Sequence, residues 1–155
     1  MTSRYYEIKH AVLYSHDFSG NRFETPSICV KIDDEGLAQQ LSQEGWNIRL
    51  SKYSTDEEPV YYLPVSISFK NRNYIPEIYY LGQYTKGTLN EDTLYILDDL
   101  DIIDADLTIN KRIYVDKNTG EERIKAYLSS AIFTIEEKNN YSQRYNDYEP
   151  GAIDG

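Results

Sequence analysis

The sequence predicts a mainly β fold, a small Greek-key antiparallel barrel with one or two short helices and a flexible C-terminal tail. Three observations lead there: seven or so short runs of strand character, one helix-forming stretch inserted early, and no repeated helical crossovers of the kind a parallel sheet requires. The length of 155 residues fits one domain with a tail, expected as a folded unit over residues 1–137 and a polar, acidic tail over 138–155. A fold of this size can bury a core of its own without disulfide staples.

Residues 4–15 read as the first strand, followed by a turn signal at Asp17 to Arg22 around Gly20 and a second strand in SICVKI, Ser27 to Ile32, with a hairpin as the natural join. In DDEGLAQQLSQEG, Asp33 or Asp34 can cap a short helix. Leu37, Ala38 and Leu41 recur at helical spacing, and Gly45 stands where a left-handed residue ends it. Trp46 to Tyr53 reads as strand and Ser54 to Pro59 as a polar loop. In PVYYLPVSISFK, Val65, Ile67 and Phe69 alternate with Ser66, Ser68 and Lys70, and Pro64 marks an edge or a bulge. Asn71 to Pro76 is loop and Glu77 to Tyr84 strand. Lys86-Gly87 reads as a turn leading into LNEDTLYILDDLD, one or two helical turns that Asn90 can cap. The clearest element is a long hairpin from Ala105 to Glu137, closed by DKNTG with Gly120 in the turn. KNNYSQRYNDYEPGAIDG lacks apolar periodicity, hence the flexible tail. A barrel of the OB type accommodates this order best.

The chain carries 16 Lys and Arg against 26 Asp and Glu, a net charge of −10. The imbalance is local: Glu91, Asp92, Asp98, Asp99, Asp101, Asp104 and Asp106 fall in one stretch without a cation, while Lys111, Arg112, Lys117, Arg123 and Lys125 outnumber the acids between 107 and 135. An acidic total ordinarily argues against nucleic acid, but this distribution leaves room for a basic face. No apolar run approaches the roughly 20 residues of a membrane span and MTSRYYEIKH lacks a signal-peptide core, so the expectation is a soluble, cytoplasmic protein without a membrane partner.

No reaction is legible. GxSxG, Walker-type and GxGxxG patterns are absent, so no catalytic residue can be named. Counted from Asp99, an EF-hand would need Gly at Asp104 and Glu at Asn110. His10 and His16 have no partner at zinc spacing and read as structural, and Cys29 reads as a small core residue. Neither a metal nor a cofactor is expected.

Tyrosine is the unusual figure, 16 copies against 4 Phe and 1 Trp. Such rings suit pleated strands, and they also offer a face on which a base can stack. Alternation in the hairpin places Leu107, Ile109, Ile113 and Val115 with Ile124, Ala126 and Leu128 on the inner side, and Arg112, Tyr114, Arg123, Lys125 and Tyr127 on the outer. Cations interleaved with rings are what a single strand needs, the cations following phosphates and the rings accepting any base. An ordinary solvated face with cross-strand Tyr and Arg pairs would look the same. A second patch gathers Lys70, Arg72 and Tyr74 with Tyr62, Arg49 and Tyr53, which a polar loop explains equally well. Trp46, beside Gly45, reads as core.

The segments ICVKIDDEGLAQQLSQEGWNI, VSISFKNRNYIP, LNEDTLYILDDLDI, DADLTI and IKAYLSSAIFTIEE, taken in order, resemble small phage-encoded single-stranded DNA-binding proteins with an OB-type barrel. The resemblance implies sequence-tolerant binding of single strands in phage replication or recombination, without catalysis, in the host cytoplasm. The partners it implies are single-stranded DNA and replication or recombination proteins, with a homodimer as the candidate assembly. The terminal EPGAIDG lacks the aromatic tip with which many such proteins recruit enzymes. The competing reading is an acidic interaction module or nucleic-acid mimic acting through residues 91–106.

Overall fold

In the computed structural model, the described residues are 4–20 and 25–136. The expected tail and its boundary at 137/138 lie outside them. In chain order the elements are β1 (Tyr5–Ile8), β2 (Leu13–Asp17), β3 (Ser27–Ile32), α1 (Glu35–Glu44), β4 (Arg49–Leu50), β5 (Tyr61–Ser66), β6 (Glu77–Leu81), β7 (Lys86–Leu89), a 3₁₀ helix (Leu94–Asp99), β8 (Asp101–Val115) and β9 (Glu122–Glu136).

Local chemistry accounts for the ends of α1. Asp34 Oδ1 accepts from the N–H groups of Gly36 and Leu37 at 2.9 and 3.4 Å, and Gly45 closes the helix at φ 108°, where a β-carbon would be strained. Ala38 and Leu41 face the core. Asn90 opens the 3₁₀ region by accepting from the N–H groups of Asp92 and Thr93 through its side chain.

One sheet carries the fold, with strands in the order β1-β8-β9-β5-β3-β2. Its two borders belong to one continuous segment: β1 lies along β8, β2 lies along β3, and residues between them bond to both sides. Ala11 N–H donates to Ala105 O at 2.7 Å and Val12 O accepts from Lys31 N–H at 2.8 Å. The sheet is therefore curled into a barrel-like form. Inside it lie Ile28, Val30, Leu63, Val65, Ile67, Ile109 and Phe133, the last meeting Phe18 edge-on at 5.4 Å. Trp46 is buried among them, as its position beside Gly45 suggests.

Several expectations need correction. The sheet is not wholly antiparallel, because β9 runs parallel to β5 at Tyr127 and Ser66 and parallel to β6 over Ser130–Thr134. The first strand is broken at His10, whose φ of 55° bends the chain from β8 towards β3. Strand structure within 46–53 is confined to Arg49–Leu50, and β5 stops at Ser66. Lys86-Gly87 is not a turn: it starts β7, and the turn is earlier, where Gly82 N–H donates to Thr85 O at 2.7 Å. Gly87 allows the ring of Tyr80 to close over the strand, since a β-carbon there would lie 3.0 Å from Tyr80 Cε1. Ile113 and Val115 keep the inner parity but are 67 and 59% exposed, because the end of the β8–β9 hairpin extends beyond the barrel. Pro64 sits between the part of β5 paired with β4 and the part paired with β9, so its missing N–H breaks no ladder bond.

Candidate nucleic-acid interface

Pairing register turns the outer face into rows. Tyr62 on β5 stands opposite Lys31 on one side and Arg49 on the other. Two residues along, Pro64 faces Cys29. The next row crosses five strands: Ser27, Ser66, Tyr127, Asn110 and Tyr5. Beyond it Arg112 faces Lys125, and Tyr114 faces Arg123. Rings and cations thus alternate across one continuous surface.

Two adjoining concavities cut into it. One is lined by Arg49, Tyr62, Lys70, Lys125 and Tyr127, with Cys29 and Ser66 in its floor. The other holds Lys70, Tyr74, Arg112 and Tyr127 together with Tyr5 and Asn110. Tyr127 belongs to both, and its ring centroid lies 5.2 Å from Lys125 Nζ and 5.7 Å from Arg112 Cζ. A cation held this close to a ring is attracted by the negative face of its π system. A shallower hollow beside Tyr127 gathers Arg112, Tyr114 and Lys125.

Of the residues singled out from the sequence, Arg49, Tyr62, Lys70, Tyr74, Arg112, Tyr114, Lys125 and Tyr127 come together in these hollows. Three do not line them. Tyr53 is 75% exposed with Lys52 Nζ 5.3 Å from its ring, Arg72 is exposed in the turn after β5, and Arg123 makes an ion pair with Asp116 at 3.9 Å at the hairpin end. Cys29 is half-buried in the floor instead of in the core, because alternation sends Ile28, Val30 and Ile32 inward and turns its thiol out.

Sequence reasoning missed four contributors. Tyr14 is the extra residue of a bulge between Leu13 and Ser15 in β2; its ring stacks on Tyr62 at 4.9 Å and 11°, and its hydroxyl bonds Ser51 Oγ. Arg4 lies over the Tyr74 ring at 5.0 Å. Tyr5 and Asn110 enter through the pairing of β1 with β8, which no local signal announces. Asn110 is only 7% exposed, and its Oδ1 has no hydrogen-bond partner.

Among the described residues Glu77 is the one acid that lines these hollows, and the acidic stretch lies elsewhere. None of the seven between Glu91 and Asp106 lines these hollows. Asp98 accepts from the N–H groups of Phe18 and Ser19 at 3.0 and 2.8 Å and bonds the His16 ring at 2.8 Å. Burial pushes its carboxyl up, but these bonds outweigh that and hold it below the usual aspartate range. Asp106 accepts from His10 N–H at 3.0 Å and Asp104 meets the His10 ring at 3.2 Å. Donor atoms of His10, Asp104 and Asp106 are near enough to share a cation, yet hydrogen bonds among them and the open position of His10 account for the arrangement. Among the described residues no helix is long and apolar enough to cross a membrane.

The family model described as "Putative phage ssDNA-binding domain" matches residues 17–152. No curated protein and no solved structure matches the chain.

Proposed function

We propose, for a chain that belongs to this phage ssDNA-binding domain family and binds single-stranded DNA in a phage context, that the strand lies across the outer rows of β3, β5, β9 and β8. Bases stack on Tyr62, Tyr127, Tyr74 and Tyr114, while Arg49, Lys70, Arg112 and Lys125 hold phosphates. The observation that carries this reading is Tyr127, shared by both hollows and flanked by two cations. Stacking and phosphate contact read no base edge, so the binding is largely sequence-tolerant. Its place is phage DNA replication or recombination in the host cytoplasm, as a binding protein that performs no turnover.

An OB-type barrel suits this role, and the strand order supports it. Counting β1 and β2 as one bent first strand, the sequence runs β3, β5, β9, β8 and back to the first, with a parallel contact between β5 and β9. Oligonucleotides lie across the second and third strands of such barrels, here β3 and β5.

The test is fluorescence anisotropy with a labelled oligothymidylate of about 30 nucleotides, longer than the roughly 4–16 that one such fold covers, against a duplex of equal length. Preferential binding of the single strand, weakened by salt and reduced about tenfold or more in Tyr62→Ala/Tyr127→Ala, is the expected result. Wild-type affinity in that double variant would place the strand on another face.

A further inference from the structure

Asn110 stands apart from the other groups in the groove. Among the described residues that line the groove it is the one both polar and buried, fourth in the five-strand row, between Tyr127 on β9 and Tyr5 on β1. Its Oδ1 is enclosed without a hydrogen-bond partner, a condition that ordinarily costs about 1–3 kcal/mol. A side chain retained at that cost in a binding hollow points to a donor that arrives with the ligand. The surroundings narrow the donor's identity. Tyr5, Tyr74 and Tyr127 share the hollow, so a flat ring can enter between aromatic walls, and Lys70 and Arg112 at its rim suit the phosphates on either side of that ring.

We infer that this hollow is a nucleobase subsite, in which Asn110 Oδ1 accepts a hydrogen bond from an N–H on the edge of one inserted base. The inference rests on the proposed course of the strand and adds to it a single position that reads base chemistry. Amide torsions are broad, so rotation of the carboxamide can turn Oδ1 towards the hollow that the residue lines. Every base offers at least one N–H on its pairing edge, which keeps the site tolerant of sequence. A base with that N–H blocked is refused, although it stacks as well as before. Base-paired DNA is refused for the same reason, because its edge donors are already engaged.

The experiment compares oligothymidylate with the same strand built from N3-methylthymidine, which keeps the ring and the phosphates and lacks the N–H. Wild-type protein is expected to bind the methylated strand about tenfold more weakly, the equivalent of about 1.4 kcal/mol. The variant Asn110→Leu, close in volume, should bind both strands alike, with a thermal melt showing that it folds. If wild type binds both strands equally, the subsite is refuted whatever the variant does, while the strand course stands on the unmodified oligonucleotide. An equal methylation penalty in wild type and Asn110→Leu would also refute it, assigning the penalty to bulk elsewhere. Should Asn110→Leu fail to fold, Asn110→Ala, which also lacks an acceptor, supplies the same comparison. Failure of even the unmodified strand to bind would instead remove the strand course itself.

Discussion

Tyr14 covers one face of Tyr62, the two rings lying 4.9 Å apart and 11° from parallel. Only the opposite face of Tyr62 can therefore take a base, and its orientation depends on a ring that does not itself line the hollow. Tyr62→Ala is expected to weaken single-strand binding about tenfold, in line with stacking worth about 1–3 kcal/mol per base. Tyr14→Ala should cost less, about threefold, because it loosens the platform without removing it. Anisotropy titrations at one salt concentration separate the two, and a Tyr14→Ala loss as large as that of Tyr62→Ala would mean that Tyr14 meets the strand directly.

Lys125 and Arg112 face each other across β8 and β9, both within reach of the Tyr127 ring. Each phosphate contact removed lowers the slope of log affinity against log salt by about 0.7 for a single strand. Lys125→Ala and Arg112→Ala should each flatten the slope by about that amount, for thymidine and adenine strands alike. An unchanged slope would take that residue off the phosphate path.

Cys29 lies in the floor of the groove and is the chain's single cysteine. Bound oligonucleotide should slow its labelling by a maleimide, and the labelled protein should bind more weakly because the adduct occupies the strand's path. Labelling followed by mass spectrometry, with and without oligothymidylate, measures this directly. Equal rates in both conditions would show that the strand bypasses β3.

Asp98 ties the 3₁₀ helix to Phe18 and Ser19 at the start of the connection that leads to β3. Bonds to a charged acceptor of this kind contribute about 1.5–3 kcal/mol, so Asp98→Ala should lower stability by about that much at neutral pH. The folded carboxyl lies below its ordinary value near 3.8, so its contribution is present above that value and is lost as pH falls through the lower folded one. Urea titrations of wild type and variant should therefore converge only in strong acid, and a gap that stayed constant there would assign the loss to packing.

Where structure is set by near neighbours, the sequence was readable. Alternation in Ser27 to Ile32, and a cap at Asp33 or Asp34 with a closing Gly45, mark a strand and a helix that the structure reproduces within a residue or two, the cap falling on Asp34. The same alternation put Arg112, Lys125 and Tyr127 on one face. It failed where a residue's surroundings come from afar. Ile113 and Val115 have the right parity for a core that ends before it reaches them. Tyr14 owes its direction to a bulge, and Arg4 and Tyr5 owe their place to β8, about a hundred residues downstream.

That long separation also bears on how the protein comes to exist. Tyr5 finds Asn110, and Tyr127 finds Ser66, only after loops of many tens of residues have closed, so pairings of this range place the chain among slow folders. During synthesis the first strand leaves the ribosome long before its partner, and the row that joins five strands cannot assemble until β9 has emerged. An incomplete chain consequently has no such row, and the strand course proposed for it exists only once β9 has been made.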